Sequence, residues 1–235
     1  MTSSFAERRP ASLVAGVRAV INKDLLLEWR SRARVNATIF FAFLTLLLFL
    51  FAVGPDTHIM AQSAAGYLWL AVLLSSVLSL GESFRMEAEN AALEGLRLLP
   101  VDPKAMFLGK AIANTLFLFL LAVILVPVTV AMCGVEVQGS LMHGVAILFL
   151  GAAAISAPGT LYAAIASQVR ARDVLLPLLL FPVLIPAIIG AVKATKLLFA
   201  GDPMGDLGRW TALLIFFNAT YWLLCLLLFG RVVEE

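Results

Sequence analysis

The chain alternates between long apolar runs and short polar stretches. Six of the runs are long enough to cross a bilayer, because a spanning helix needs roughly 20 mostly apolar residues. The Gly54-Pro55 pair after the first run supplies a turn. The pattern predicts an all-α fold, a polytopic membrane protein with six transmembrane helices. The spans are expected at about residues 35–53, 61–80, 105–133, 141–167, 174–200 and 210–229.

The residues before the first span have a different pattern. Val14, Val17, Ile21 and Leu25 recur at helical spacing with charged residues between them, which predicts an amphipathic helix over about 11–28. Such a helix lies along the membrane interface instead of crossing it. No apolar stretch here has the length that a signal peptide requires. The sequence therefore divides into an N-terminal segment with an interfacial helix (1–34), a six-helix membrane domain (35–229) and a short tail (230–235).

Basic residues predict the orientation, since short cytoplasmic flanks are enriched in Lys and Arg. With a cytoplasmic N-terminus, only Lys193, Lys196 and Arg209, of 17 Lys and Arg residues, fall on the outer side. Both termini are therefore predicted to be cytoplasmic, and this requires an even number of spans.

Composition excludes a water-soluble domain. Hydrophobic residues make up 62% of the chain and charged residues 14%, against roughly 45–50% and about 25% in soluble domains. A net charge of +2 is too small to indicate nucleic-acid binding.

Cys133 and Cys225 lie in or beside apolar runs and are expected to be packing residues. Asn114 and Asn218 interrupt apolar spans and need hydrogen-bond partners in the bundle interior.

The longest internal connection, 82–104, is also strongly charged. Helix-forming residues continue to Glu94, and Pro100 prevents further helix. Phe84 can lie on an apolar stripe with Glu87 and Glu94 displaced from it, which is typical of a surface that docks onto a cytoplasmic partner. A solvated interfacial loop accounts for the same charges equally well.

Three prolines, Pro177, Pro182 and Pro186, lie inside the fifth span. Interior prolines remove backbone hydrogen bonds and bend a helix. The bend is either a flexing element or a static kink required for packing.

Small residues over 151–164, in the fourth span, predict a close contact between helices.

His58 and His143 are placed by this topology on the outer side, where each is a candidate haem contact. Neither has a second ligand at metal-binding spacing, and a lone loop histidine is usually solvated, so no metal site is expected. The phosphate-loop motif G-x-x-x-x-G-K-[ST] is absent from the sequence, as are H-E-x-x-H and G-x-S-x-G. The chain is therefore not expected to be an enzyme.

Four segments together carry a resemblance to a known family: 23–32, 84–103, 107–110 and the leucine-proline run 172–186. In order and spacing they resemble cytochrome c maturation protein B, also called haem exporter protein B. The resemblance extends over nearly the whole chain after about Leu13, and the leucine-proline run is its most specific element.

The resemblance implies the permease subunit of an ABC-type complex in the bacterial inner (plasma) membrane. The partners that it implies are an ABC ATP-binding subunit, a second copy of this chain, haem-handling membrane subunits and a periplasmic haem chaperone. No cofactor is expected on this chain: ATP would bind to the partner subunit, and haem would be handled by the complex. The implied function is to couple ATP hydrolysis on the partner to haem delivery, or to release of the haem-loaded chaperone.

Charge and spacing then assign roles to particular residues. The expected ATPase-docking residues of the coupling helix are Phe84, Arg85, Glu87, Glu89, Glu94 and Arg97, and the proline triplet 177, 182 and 186 is the expected conformational kink. Two other functions remain open from the sequence. One is a non-transporting membrane scaffold for haem-handling subunits, and the other is an ABC permease for another substrate such as a lipid or drug.

Overall fold

The structure is a computed structural model that describes residues 13–54, 56–89, 102–167 and 172–234, with backbone only at Trp29, Arg34, 84–89, 172–173 and 233–234. Across these residues the chain forms seven α-helices, and six of them are long and apolar enough to cross a membrane. The helices are α1 (Leu13–Arg30), α2 (Arg32–Val53), α3 (Thr57–Glu89), α4 (Pro103–Cys133), α5 (Leu141–Ser167), α6 (Arg172–Ala200) and α7 (Leu207–Glu234).

The prediction of an all-α protein with six spans is confirmed, and a helix forms where the amphipathic N-terminal segment was predicted. The predicted end of the helix that contains the second span is wrong. We expected the span to stop near Leu80 and a separate short helix to follow, but α3 continues unbroken to Glu89. Residues 81–89 contain no proline and are mostly helix formers, so nothing in them ends the helix.

Helix α5 lies at the centre of the bundle and packs against α3, α4, α6 and α7. Most of its residues between Gly151 and Ala166 are buried, and many are Gly or Ala, so neighbouring helices approach closely. A Cβ atom at Gly151 would overlap the Trp69 ring, and one at Gly159 would lie 2.5 Å from Leu80 Cδ1. The predicted close contact of this span is confirmed, and its partner is α3.

Trp69 is also joined to α6. Its indole Nε1 donates a hydrogen bond to Thr195 Oγ1 at 2.9 Å, and both side chains are buried. Because α5 closes over the indole ring and α6 accepts its N–H, one side chain of α3 contacts two other helices. Helices α3, α5 and α6 therefore form the tightly packed part of the bundle.

Helices α2 and α7 lie at the outside of the bundle. Each has a face of exposed large apolar side chains, including Leu48 and Phe51 on α2 and Phe216 and Leu227 on α7. An apolar exposed face on a spanning helix is the face that contacts lipid or another membrane protein. The protein is therefore a multi-pass membrane protein.

Candidate functional site

The predicted coupling segment joins the ends of two long helices. Helix α3 has 33 residues and a length of roughly 50 Å at 1.5 Å per residue, well beyond the roughly 30 Å of a bilayer core. Its apolar span ends at Ser83, and the helix continues for a further one to two turns. The segment 82–104 is thus continuous at its start with the second span.

The end of the segment is also well defined. Helix α4 begins at Pro103, and the Asp102 carboxylate caps it by accepting a hydrogen bond from the Lys104 N–H at 2.8 Å. Proline at the first helical position and Asp at the N-cap both favour a helix start. The segment therefore passes directly into the third span.

The expected docking side chains themselves lie outside the described part of the structure. For Phe84, Arg85, Glu87 and Glu89 only the backbone is described, as the last turns of α3, and Glu94 and Arg97 fall between the described ranges. Their docking role stays a prediction.

A groove lies beside the start of the coupling segment, and we call it the junction groove. It has a volume of about 410 Å³ and lies between α2, α3, α5 and α6. Most of its lining is apolar, and Glu82 and Ser167 are the polar side chains in it. A change in the angle between α3 and α6 would open or close this groove. Its remaining lining residues are Phe41, Leu74, Val77, Leu78, Gly81, Ala163, Ala166 and Leu176.

Helix α1 packs closely against the start of α4. A Cβ atom at Gly16 would lie 3.1 Å from Ala105 Cβ, and one at Gly109 would lie 2.5 Å from Val20 Cβ. The two contacts have the same sequence offset and are one helical turn apart, so α1 and α4 run side by side in the same chain direction. Helix α1 is thus attached to the start of the third span, at the end of the coupling segment.

A buried ion pair reinforces this contact. Lys110 Nζ lies 3.3 Å from Asp24 Oδ2, and the two side chains are 1% and 12% exposed. The distribution of Lys and Arg places Lys110 among the basic residues of the cytoplasmic side, and its role in helix packing was missed. The signal that could have revealed it is a lysine two turns inside an apolar helix, because such a charge needs a partner within the protein.

Polar contacts continue from α4 to α5. Asn114 Nδ2 donates to Thr160 Oγ1 at 3.0 Å, and Ser156 Oγ donates to the Ala111 carbonyl at 2.6 Å. The prediction that Asn114 faces the interior is confirmed. Together with the ion pair, these bonds link α1 through α4 to the central helix.

The two histidines lie in the first turns of α3 and α5. Both are exposed, and Gln62 Nε2 lies 3.2 Å from His58 Nε2. Among the described residues no group of three or more His, Cys, Asp or Glu could hold a metal ion. Haem contact at His58 or His143 stays a prediction.

Helix α6 runs from Arg172 to Ala200 through all three prolines of the predicted kink. Pro182 and Pro186 are exposed on the outer face of the bundle, and Pro177 is half-buried. Each proline lacks the N–H that would bond to the preceding turn. Helix α6 therefore has fewer backbone hydrogen bonds over 177–186 than its neighbours have, and it lines the junction groove at Leu176.

A profile of the family described as CcmB protein matches residues 16–232. Heme exporter protein B of Rhodobacter capsulatus is 32% identical over 180 residues, covering 77% of this chain and 82% of the relative. The protein of the same name from Haemophilus influenzae is 30% identical over 186 residues, covering 79% and 84%. That of Pseudomonas aeruginosa is 31% identical over 187 residues, covering 80% and 83%.

The profile match takes in α1 from Gly16 and all six candidate spans. The relatives align over more than three quarters of both chains. The chain belongs to the CcmB family.

Proposed function

We propose that this chain is the permease subunit of an ABC-type complex for cytochrome c maturation. It couples ATP hydrolysis on a partner subunit to haem delivery, or to release of the haem-loaded periplasmic chaperone. The observation that carries the proposal is the continuity of α3 from the outer side of the bundle to Glu89, directly into the predicted docking segment. The names of the relatives, heme exporter protein B, support haem as the species handled.

In the proposed mechanism, helices α3 and α4 move as rigid bodies and helix α6 is the flexible element. A partner that closes on 82–104 pushes α3 along its length, because an unbroken helix transmits displacement. At the other end of the segment the push acts on α4, which carries α1 with it through Lys110 and Asp24. Helix α6, weakened over 177–186, yields relative to α3 and changes the width of the junction groove. The outer ends of α3 and α5, at His58 and His143, then shift relative to one another.

The proposed setting is the bacterial inner membrane with both termini in the cytoplasm. Six spans put the two ends of the chain on the same side, and the distribution of Lys and Arg supports the cytoplasmic side. The partners are the ATP-binding subunit, a second copy of this chain, haem-handling membrane subunits and the periplasmic chaperone. ATP hydrolysis takes place on the partner subunit.

Reversing two charges in the docking segment is expected to separate this chain from its ATPase. In the variant Glu87→Lys/Glu94→Lys, the new lysines would face the cationic groups of the ATPase that pair with the carboxylates. Like charges that face each other across an interface cost several kcal/mol. We expect the ATP-binding subunit to be lost from the purified complex and c-type cytochromes to fall at least tenfold. The measurements are co-purification from solubilised membranes and haem staining of cytochromes c.

The matched control is Glu136→Lys, which reverses an exposed carboxylate in the loop between α4 and α5, at the opposite end of the bundle. It should leave both readouts unchanged. The proposed coupling role is refuted if the double variant retains the ATPase and matures cytochromes at the normal level.

Replacing the three α6 prolines by alanine separates a moving permease from a static scaffold. The variant Pro177→Ala/Pro182→Ala/Pro186→Ala restores the missing backbone donors and stiffens the helix. We expect the complex to assemble in normal amount while ATP-dependent cytochrome c maturation drops severalfold. Normal maturation by an assembled triple variant would contradict the moving-permease proposal and favour the scaffold.

A further inference from the structure

A second groove opens on the membrane-facing side of the bundle, where α1, α2 and α4 meet. We call it the α2–α4 groove. Its volume is about 510 Å³, within the roughly 300–1,000 Å³ of typical ligand pockets. Its lining residues are separate from those of the junction groove, and the proposed coupling function makes no use of it.

Polar and apolar residues are separated along the α2–α4 groove. Glu28, Arg32 and Asn36 lie at the end nearest α1. The α2 lining ends at Ile39, and the whole α4 lining, from Leu116 to Ile124, is apolar. A site with a polar rim and an apolar floor fits an amphiphile, with its headgroup at the rim and its tail along the floor.

The length of the groove is close to the thickness of one leaflet of a bilayer. The α4 residues along its wall extend from Leu116 to Ile124, a rise of roughly 12 Å along the helix. One leaflet of the hydrocarbon core is roughly 15 Å thick, half of about 30 Å. Leu116, Leu120 and Ile124 are 39%, 55% and 39% exposed, so the wall is open to lipid over its whole length.

The rim carries donors suited to a phosphate group. Arg32 and Asn36 are one turn apart on α2, so their side chains lie on the same face of the helix. Helix α2 begins at Arg32, and its N-cap Ser31 makes no side-chain capping bond, so backbone N–H groups of the first turn add to the positive potential there. The Glu28 carboxylate lines the same end of the groove as Arg32, so the summed charge of these two side chains is zero, which disfavours a headgroup with net negative charge.

We propose that the α2–α4 groove binds one acyl chain of a zwitterionic glycerophospholipid, with the lipid phosphate at Arg32 and Asn36. The lipid comes from the leaflet on the α1 side of the membrane. It fills the gap between α2 and α4 and secures the junction of α1 and α2 at Ser31. The lipid is a bound structural component and is not transported.

The test is retention of phospholipid by the full chain purified from membranes in a maltoside detergent. Native mass spectrometry counts the lipids that stay bound, and titration with dioleoylphosphatidylethanolamine after delipidation gives their affinity. We expect one tightly held lipid per chain. Arg32→Gln removes the charged donor and should weaken binding about tenfold. Leu120→Trp fills the groove and should weaken binding at least as much.

Two control substitutions match these variants in chemistry and exposure. Arg209→Gln removes an exposed arginine at the start of α7. Leu227→Trp enlarges an α7 side chain that is 59% exposed, against 55% for Leu120, and that lies outside the groove. Both controls should retain the lipid with unchanged affinity, and all four variants should have melting temperatures close to the parent's.

Several results would overturn the proposal. One is that Arg32→Gln and Leu120→Trp bind the phospholipid as tightly as the two control variants do. Another is tighter binding of dioleoylphosphatidylglycerol, because the groove would then select an anionic headgroup. If Leu120→Trp instead dissociates a dimer and leaves the lipid count unchanged, the groove is covered by a second copy of this chain.

Discussion

Gly151→Ala is expected to destabilise the protein more than any other single-methyl addition in the bundle. The new Cβ would overlap the outer edge of the Trp69 indole, at atoms Cη2, Cζ3 and Cζ2. Trp69 is fully buried and is held on its other side by the hydrogen bond to Thr195, so the ring cannot move without losing that bond. We expect a loss of about 3 kcal/mol, or roughly 6–12 °C in melting temperature for a chain of this length.

The matched control is Gly66→Ala. Gly66 lies inside α3, three residues before Trp69, and a Cβ there would meet no atom within 4 Å. This variant should melt at the parental temperature or slightly above it, because alanine favours helix over glycine. Thermal unfolding in detergent, followed by tryptophan fluorescence or light scattering, compares the two.

A second substitution tests the cause of the Gly151 effect. In a Trp69→Phe background the aromatic ring is smaller, so Gly151→Ala should cost at least 1 kcal/mol less than it does with Trp69 present. Equal costs in the two backgrounds would show that the ring overlap is not the source of the destabilisation.

Asp24→Asn is expected to be at least as disruptive as Gly151→Ala, and its effect should be concentrated on α1. It takes the counter-charge from Lys110, an ammonium that is 1% exposed within a membrane-spanning helix. Removing one partner of a buried ion pair costs about 3–5 kcal/mol. We expect a similar drop in melting temperature and faster trypsin cleavage at the exposed Arg18 of α1, both measured on protein in detergent.

The control for Asp24→Asn is Asp206→Asn, which breaks the exposed ion pair between Arg209 and Asp206, 3.0 Å apart. A surface pair of this kind contributes about 0–1 kcal/mol, so little change is expected. The double variant Asp24→Leu/Lys110→Met replaces the buried pair by apolar side chains and should recover most of the stability. A double variant less stable than Asp24→Asn would mean that the ion pair itself, and not the burial of the ammonium, determines the effect.

The extent of α3 illustrates how far the sequence could predict the coupling region. Hydropathy located the second span because charged residues cannot remain in the bilayer core. It misplaced the helix end, because a fall in hydropathy marks the membrane boundary and not the end of a helix. Backbone propensity over 81–89 was the better guide. That correction supports the coupling proposal, since a continuous α3 is what would transmit a push from the docking segment.

Lys110 illustrates what the sequence could not predict. Its position near the start of an apolar run made it resemble a flanking charge, as Lys104 is. Whether such a lysine reaches solvent depends on which helix packs over it. Helix α1 packs over Lys110, and its Asp24 lies 86 positions away along the chain. The pattern of α1 predicted an amphipathic helix, but an amphipathic pattern does not specify which surface the apolar face contacts.

The sequence by itself determined the class of protein, the number of spans, most of their boundaries and the family resemblance. It could do so because each span must satisfy its own backbone hydrogen bonds and present apolar side chains to lipid, and both requirements are local. Only the tertiary structure decided that α5 is central, that Trp69 lies against Gly151 and bonds to Thr195, and that α1 is paired with α4. These contacts join residues up to 126 positions apart, and they depend on which helix faces meet and how closely, which local hydropathy does not encode.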